Sequence, residues 1–192
     1  MIKKALKLSA LLMCVVFGFG GCAGGSSEET THSKVKFEME DGTTFVVELY
    51  PEYAPETVAN FLKLVNEGFY NGLTFHRVIP GFMVQGGCPE GTGMGGSGKN
   101  IPGEFAANGY EKNTLSHKKG VISMARAQAP NSASSQFFIC VDDASFLDGN
   151  YAAFGEVIEG MENVDPIALV KTDPNDKPLT PVVMKNVSVV TE

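Results

Sequence analysis

The sequence predicts a single, mainly β domain, built as a sandwich or barrel of short antiparallel strands with two helices. The first observation is an apolar alternation of period two over residues 35–49, which is typical of half-buried strands. The second is a central part in which short apolar runs are separated by Gly, Pro and Asn. The third is length, because removing a 21-residue leader from 192 residues leaves 171, which suits one core.

A hairpin and a helix begin the predicted domain. Apolar side chains occupy every second position over 35–39 and 45–49, and Asp41-Gly42 between them predicts a tight turn. Pro55 and Gly68 then bracket a pattern typical of a helix. The apolar positions of that helix are Val58, Phe61, Leu62 and Val65.

The remaining elements are short strands and one more helix. Asp165 as a cap and Pro166 in the first turn predict a second helix within 160–170, and residues 182–190 predict the closing strand. Antiparallel strands separated by long loops are predicted at 75–79, 82–84, 121–124 and 136–141.

The N-terminus has the pattern of an export signal. Three lysines within the first seven residues precede an uncharged run at 8–19, and small residues follow up to Cys22. A membrane-spanning helix needs about 20 apolar residues, so this segment is too short to persist as a transmembrane anchor. Residues 1–21 are therefore predicted to be a signal peptide.

Cys22 is the predicted lipidation site. A cysteine directly after small residues at the end of the apolar run resembles the bacterial lipobox, in which that cysteine is acylated and becomes the new N-terminus. Phe19 stands where the lipobox usually has an aliphatic residue, so an ordinary secretory signal is the alternative. Residues 22–33, rich in Gly, Ser, Thr and Glu, predict a flexible tether. The domain of residues 34–192 is then expected at the extracytoplasmic face of the cell membrane, facing the periplasm if the host has two membranes.

Charge and cysteine content argue against several classes of function. Loss of the three leader lysines changes the net charge from −7 to −10, which disfavours a nucleic-acid partner. Cys88 and Cys140 remain in the folded part and are predicted to be free, with a single bridge as the alternative. Three histidines without a C-x-x-C pair predict no metal site, and no cofactor is expected.

Two further patterns are incomplete. Residues 93–100, G-M-G-G-S-G-K-N, match a phosphate-binding loop up to Lys99, but Asn100 replaces the Ser or Thr that would hold magnesium. A glycine-rich surface loop is predicted there instead. Ser123, His117 and an aspartate offer the components of a hydrolase triad, but no serine stands in a G-x-S-x-G elbow.

Residues 75–87, F-H-R-V-I-P-G-F-M-V-Q-G-G, combine a fixed cation, apolar side chains and an amide. Side chains of equal parity share one face of a strand, so Arg77 is expected beside Ile79, and Met83 beside Gln85, over one groove. The alternative is a core hairpin whose arginine only covers the rim.

Three segments resemble the cyclophilins, the cyclosporin-binding family of peptidyl-prolyl cis-trans isomerases. They are residues 75–87, residues 120–141 with the string S-Q-F-F-I at 135–139, and F-L-D-G-N-Y-A-A-F-G at 146–155, and the likeness extends over residues 35–192. The resemblance implies a closed eight-stranded antiparallel β-barrel capped by two α-helices. It also implies a monomeric isomerase that acts on proline-containing peptides without a cofactor.

The resemblance assigns roles to individual residues. Arg77 corresponds to the essential arginine of the family, and Gln85 and Phe82 are further catalytic positions. Gln85 or Gln136 is expected to orient Arg77 by accepting its hydrogen bond. The expected substrate-binding positions are His76, Met83, Ala125, Arg126, Gln136, Phe138, Phe146, Leu147 and Tyr151.

Two positions depart from the family's pattern. Phe146 stands where eukaryotic members have tryptophan, and Tyr151 stands where many have histidine. Because Phe146 lacks an indole N–H, weaker cyclosporin binding with retained isomerase activity is expected. The predicted function is isomerisation of X-Pro bonds in unfolded exported proteins. The alternative is a non-catalytic chaperone or interaction module that binds proline-containing peptides, and Arg77 favours the enzyme because a binder needs no donor aimed at the prolyl nitrogen.

Overall fold

The computed structural model describes residues 32–191, which contain nine antiparallel strands and two α-helices. The predicted signal peptide, Cys22 and the tether as far as residue 31 lie outside this range. Ser33 already contacts the barrel, because its carbonyl accepts a hydrogen bond from the Leu49 N–H at 2.9 Å. No helix within residues 32–191 has the length and apolar character needed to cross a membrane.

The strands close into a barrel whose order is β3-β9-β1-β2-β8-β6-β7-β5-β4. The strands at the two ends of this order, β3 and β4, are consecutive in the chain and are separated only by His76. The predicted strand at 75–79 therefore divides at His76, which gives nine strands instead of the expected eight. The strands are β1 Lys34–Met39, β2 Thr44–Leu49, β3 Thr74–Phe75, β4 Arg77–Ile79, β5 Met83–Gly86, β6 Val121–Met124, β7 Phe137–Cys140, β8 Ala153–Glu159 and β9 Val182–Val189.

The predicted hairpin and first helix are confirmed. β1 and β2 pair across a loop in which Gly42 has a φ of +87°, a conformation that favours glycine, and the Asp41 carboxylate accepts the Thr43 N–H at 2.9 Å. Helix α1 spans Pro55–Asn66 and buries Val58, Phe61 and Val65 as predicted, with Gly68 just past its end. Leu62 is only partly buried, and Leu64 completes the buried face.

The second helix was predicted only in part. Helix α2, Met161–Val164, is a single turn that continues as a 3₁₀ segment, Asp165–Leu169, so the N-cap position is Gly160 and Asp165 stands at the C-terminal end of the α-helix. The helix begins at Met161, before the predicted cap Asp165, because the turn into it is made at Gly160. Gly160 has a φ of +79° and approaches β2 so closely that a Cβ there would lie 2.4 Å from the Thr44 carbonyl oxygen. Pro166 has no N–H to donate, so the α-helical hydrogen bonds cannot continue through it.

Aromatic side chains fill the barrel and one of its ends. Phe137 on β7 lies inside, with ring centroids 5.8 Å from Phe37, 5.6 Å from Phe61 of α1 and 5.6 Å from Tyr70. Because side chains alternate along a strand, the next residue, Phe138, points to the outer face of the barrel. There it belongs to a separate apolar cluster, which forms the floor of a cleft.

Candidate active site

A cleft of about 710 Å³ opens on the outer face of the barrel, and its floor is apolar. Met83 and Phe138 are buried in this floor and rest on Cys140 and Ala144, while Leu147 packs beside them. The cleft contains ten of the twelve residues that the sequence assigns to catalysis or substrate binding. These are His76, Arg77, Phe82, Met83, Gln85, Ala125, Arg126, Phe138, Leu147 and Tyr151.

Strand pairing aligns the polar and apolar parts of the cleft. Arg77 on β4 pairs with Gln85 on β5, and Gln85 pairs with Phe138 on β7. Met83 lies two residues before Gln85 and lines the same cleft, as the period of two predicts. One row across three strands therefore brings the guanidinium to the edge of the apolar floor.

Arg77 has a different partner from the one expected. Its Nε lies 3.5 Å from Oδ2 of Asp176, whereas no hydrogen bond within residues 32–191 joins it to either glutamine. The Gln85 side-chain amide instead donates to Oε1 of Gln136 at 2.9 Å. The Gln136 amide in turn donates to the Gly93 and Gly95 carbonyls at 2.8 and 2.7 Å. The expected orientation of Arg77 by a glutamine is thus wrong, because the glutamine pair fixes the glycine-rich loop instead.

Gln136 and Phe146 are the two predicted residues outside the cleft. Gln136 lines a neighbouring cleft of about 530 Å³, which shares Gln85 and the glycine-rich loop with the first. Phe146 was expected to bind substrate, but it is 70% exposed, and its ring centroid lies 5.4 Å from that of Phe82. The reason is the 3₁₀ turn Ser145–Leu147, which directs Leu147 into the cleft and leaves Phe146 on the rim.

Arg126 holds two segments of the rim together. Its Nε and one terminal nitrogen donate to the Asn150 carbonyl at 3.1 and 2.8 Å, and the other donates to the Ala127 and Gln128 carbonyls at 3.0 and 3.1 Å. The guanidinium also lies over the Tyr151 ring. Because most of its N–H donors are occupied by backbone carbonyls, the Arg126 guanidinium shapes the cleft wall and has few donors left for a ligand.

Ser123, His117 and Asp148 form a hydrogen-bonded row beneath the floor. His117 Nδ1 lies 2.8 Å from the Asp148 carboxylate and Nε2 lies 2.9 Å from the Ser123 hydroxyl. Ser123 and His117 are 0% and 1% exposed, so the hydroxyl cannot reach a substrate and the hydrolase alternative fails. The His117 ring stacks on Phe138 at 6.0 Å, so the row supports the apolar floor. Burial lowers the pKa of His117 and keeps the ring neutral near pH 7.

His76 is buried at the division between β3 and β4. Neither of its ring nitrogens has a hydrogen-bond partner among the residues that the structure describes, and burial lowers the pKa of the imidazole. The ring faces the glycine-rich loop, because a Cβ on Gly93 would lie 3.5 Å from Nε2. It therefore supports one wall of the cleft as a neutral group.

The other predictions about cysteines and the glycine-rich segment are settled by the same geometry. Cys88 and Cys140 are both buried and free. Residues 93–100 form an irregular loop without a helix after it, so no helix N-terminus is present to hold phosphate. Within residues 32–191 no group of three or more His, Cys, Asp or Glu side chains is arranged to hold a metal ion.

Comparison with known proteins identifies the family. Residues 34–189 match the family described as cyclophilin type peptidyl-prolyl cis-trans isomerase/CLD. This chain belongs to the cyclophilin-type peptidyl-prolyl cis-trans isomerases. Its activity is accordingly the cis-trans isomerisation of peptidyl-prolyl bonds, and the mainly β barrel is the cyclophilin fold.

Individual relatives agree with this membership. The chain is 52% identical over 126 residues to peptidyl-prolyl cis-trans isomerase B of Bacillus subtilis, which covers 66% of this chain and 84% of that protein. It is 49% identical over 123 residues to the Helicobacter pylori peptidyl-prolyl cis-trans isomerase, covering 63% and 72% of the two chains. The crystal structure of a Cryptosporidium parvum cyclophilin-type isomerase superimposes with a TM-score of 0.76 at 32% identity, covering 84% and 99%. A second structure of that protein, in the presence of the dipeptide Ala-Pro, gives 0.74 at 32% identity, covering 83% and 99%.

Sequence reasoning missed one wall of this cyclophilin cleft. The loop of residues 171–181 contributes Asp173, Asn175 and Lys177 to the lining. It is anchored to β4, because the Val78 N–H donates to the Asp176 carbonyl at 2.9 Å. Nothing local in the sequence signals this approach, although the loop's density of Asp, Asn and Pro marks it as a turn.

Proposed function

We propose that this isomerase holds a substrate proline on the floor of Met83 and Phe138 and directs Arg77 at the prolyl nitrogen. The observation that carries the proposal is the position of the guanidinium at the edge of a buried apolar floor, separated from Phe138 by the single strand β5. The structure of the Cryptosporidium parvum relative in the presence of the dipeptide Ala-Pro supports a proline ligand for this cleft.

The reaction is slow without a catalyst because resonance gives the X-Pro C–N bond partial double-bond character and a barrier of about 18–20 kcal/mol. Twisting the bond removes that resonance and localises a lone pair on the prolyl nitrogen. A guanidinium N–H then finds an acceptor that the planar ground state lacks, so the interaction strengthens only in the transition state. An acceleration of about 10⁴ needs about 5.5 kcal/mol of such preferential binding.

The geometry around Arg77 suits this role. Nε faces Asp176, while the terminal amino groups form no hydrogen bond with any residue of the described barrel and remain available to a substrate. Met83 and Phe138 offer the pyrrolidine ring a dry surface, and Gln85 keeps its side-chain oxygen free of hydrogen bonds within residues 32–191. No side chain has to act as a nucleophile or general base, because no covalent bond breaks.

The experiment is a protease-coupled assay on an Ala-Pro-Phe-type peptide with the wild-type protein and Arg77→Ala. Rapid isomerisation that is lost in Arg77→Ala, with unchanged peptide affinity, supports the proposal. Equal rates in the two proteins would refute the role of Arg77. If a folded wild-type protein gives no acceleration, the cleft binds proline-containing peptides without catalysis.

We further propose that the substrates are exported proteins and that acylated Cys22 holds the enzyme at the extracytoplasmic face of a membrane. The support is the basic, apolar and small-residue sequence that ends at Cys22. Fractionation of cells expressing wild type and Cys22→Ala tests the anchor: the wild-type protein should sediment with membranes and the variant should not. A wild-type protein found outside the membrane fraction would contradict the lipid anchor.

A further inference from the structure

Asp176 combines an unusual backbone conformation with a contact to the active-site arginine. Its φ is +64°, and it is the one non-glycine residue between 32 and 191 with a left-handed backbone. Residues other than Gly, Asn and Asp rarely adopt the left-handed backbone region, because their side chains cause steric strain there. The Asp176 carboxylate lies 3.5 Å from Nε of Arg77.

The structure of the 171–181 loop does not need that carboxylate. The loop is shaped by Asp173, whose carboxylate accepts the Asn175 and Lys177 N–H groups at 2.8 and 3.0 Å. It is attached to β4 through the Asp176 backbone carbonyl, which accepts the Val78 N–H at 2.9 Å. A backbone carbonyl is supplied by any amino acid, and glycine adopts a positive φ without strain. The backbone conformation favours Gly, Asn or Asp at this position, and the contact of the Asp176 carboxylate is with Arg77 and not with the loop.

We infer that Asp176 is a positioning residue for Arg77, an inference that rests on the proposed role of Arg77 in catalysis. Pairing at Nε fixes the plane of the guanidinium and leaves its terminal amino groups toward the cleft. Neither glutamine performs this task in the structure, because within residues 32–191 no hydrogen bond joins Arg77 to Gln85 or to Gln136, whose amide holds the glycine-rich loop. Asp176 also offsets the positive charge that Lys177 adds beside Arg77.

The energy of the Arg77–Asp176 ion pair is limited by the solvent exposure of both side chains. The Arg77 and Asp176 side chains are 44% and 43% exposed, so the pair contributes little to folding stability. Its loss should instead lower kcat about two- to fivefold, the range expected for an exposed ion pair, while KM stays nearly constant.

The test measures kcat, KM and melting temperature for Asp176→Asn and Asp176→Gly. Asn tolerates the left-handed conformation without the charge, and Gly removes the strain together with the carboxylate. In Asp176→Gly we expect kcat to fall while the melting temperature stays constant or rises. The control is Asp165→Asn, whose carboxylate pairs with Lys119 at 2.7 Å on the surface and whose loss should leave kcat unchanged.

A double-mutant cycle separates positioning from a structural role. In an Arg77→Ala background, Asp176→Asn should cause no further loss of kcat. Wild-type kcat in both Asp176 variants, with loss in Arg77→Ala, would overturn the inference and leave the proposed function intact. A loss of kcat that persists in the Arg77→Ala background, or that follows a drop in melting temperature, would overturn it in favour of a structural role. Full activity of Arg77→Ala itself would instead refute the proposed function.

Discussion

The Arg126 guanidinium carbon lies 4.7 Å from the centre of the Tyr151 ring, and the same group donates twice to the Asn150 carbonyl. Tyr151 in turn meets Phe138 edge to face at 5.9 Å. One arginine thus holds an aromatic wall against the apolar floor of the cleft.

Replacing Arg126 by lysine should raise KM for a proline peptide about two- to tenfold, with a smaller change in kcat. Lysine keeps the charge but lacks the planar fork that reaches three carbonyls, so the Tyr151 wall loses its support. Steady-state kinetics on the purified protein measure this. A lysine variant with wild-type KM would show that charge alone matters at this position.

Glu104 stabilises helix α1 from a distant part of the chain. Its buried carboxylate accepts the Glu56 and Thr57 N–H groups at 3.0 and 2.8 Å and the Thr57 hydroxyl at 2.7 Å. Ala54, at the N-cap position, makes no side-chain hydrogen bond to the helix. Glu104 therefore replaces the usual N-cap side chain.

Glu104→Ala should lower the free energy of unfolding by about 1–3 kcal/mol, because two buried donors of Thr57 and the partly buried Glu56 N–H lose their acceptor. Urea denaturation measures the change, and kcat should be unaffected where both proteins are folded. Glu67→Ala is the matched control: it removes only an exposed pair with Lys63 and should change stability by less than about 0.5 kcal/mol. Equal losses in the two variants would contradict the capping role.

Stability should fall as the pH drops below about 6.5, the ordinary pKa of histidine. Burial lowers the pKa of both His76 and His117 in the folded protein, so the unfolded chain binds more protons between that pH and the folded-state pKa values. More protons on the unfolded chain means that stability rises with pH across this window and is lost on acidification. Urea midpoints between pH 7.5 and 5 measure the slope. His76→Leu should flatten it, and an unchanged slope would contradict the assignment.

Phe146→Trp should tighten cyclosporin binding about two- to tenfold, the range for one added hydrogen bond. Phe146 lies on the rim beside Phe82, where an indole N–H would be available to a ligand. Calorimetric titration of the two proteins tests this, with Phe146→Leu as the control that adds no donor. Wild-type binding as tight as that of Phe146→Trp would contradict the idea that the missing indole matters.

The sequence predicted the parts of this structure that depend on local pattern. The β1–β2 alternation, the apolar face of α1 and the shared face of Met83 and Gln85 follow from the periods of strands and helices, and all are confirmed. Two further cleft residues, His76 directly before Arg77 and Phe82 five residues after it, were found through the family motif.

What the sequence could not predict depends on contacts between distant segments. Asp176 and Arg77 are far apart in the chain, and only closure of the barrel brings the 171–181 loop against β4. Glu104 caps a helix that lies well before it, so no capping motif is visible at Ala54. The outward position of Phe146 depends on a 3₁₀ turn whose phase no local period fixes.

We expect Arg77 to stabilise the twisted X-Pro bond rather than merely to bind the peptide. Exchange NMR on one Ala-Pro-Phe-type peptide tests it most directly, because the same titration gives both the rate of cis-trans exchange and the affinity. Arg77→Ala should exchange the peptide at least about tenfold more slowly than wild type, as expected for a lost charge-assisted hydrogen bond, with Kd within about threefold. Exchange at the wild-type rate, or a loss of rate fully matched by a loss of affinity, would contradict the account.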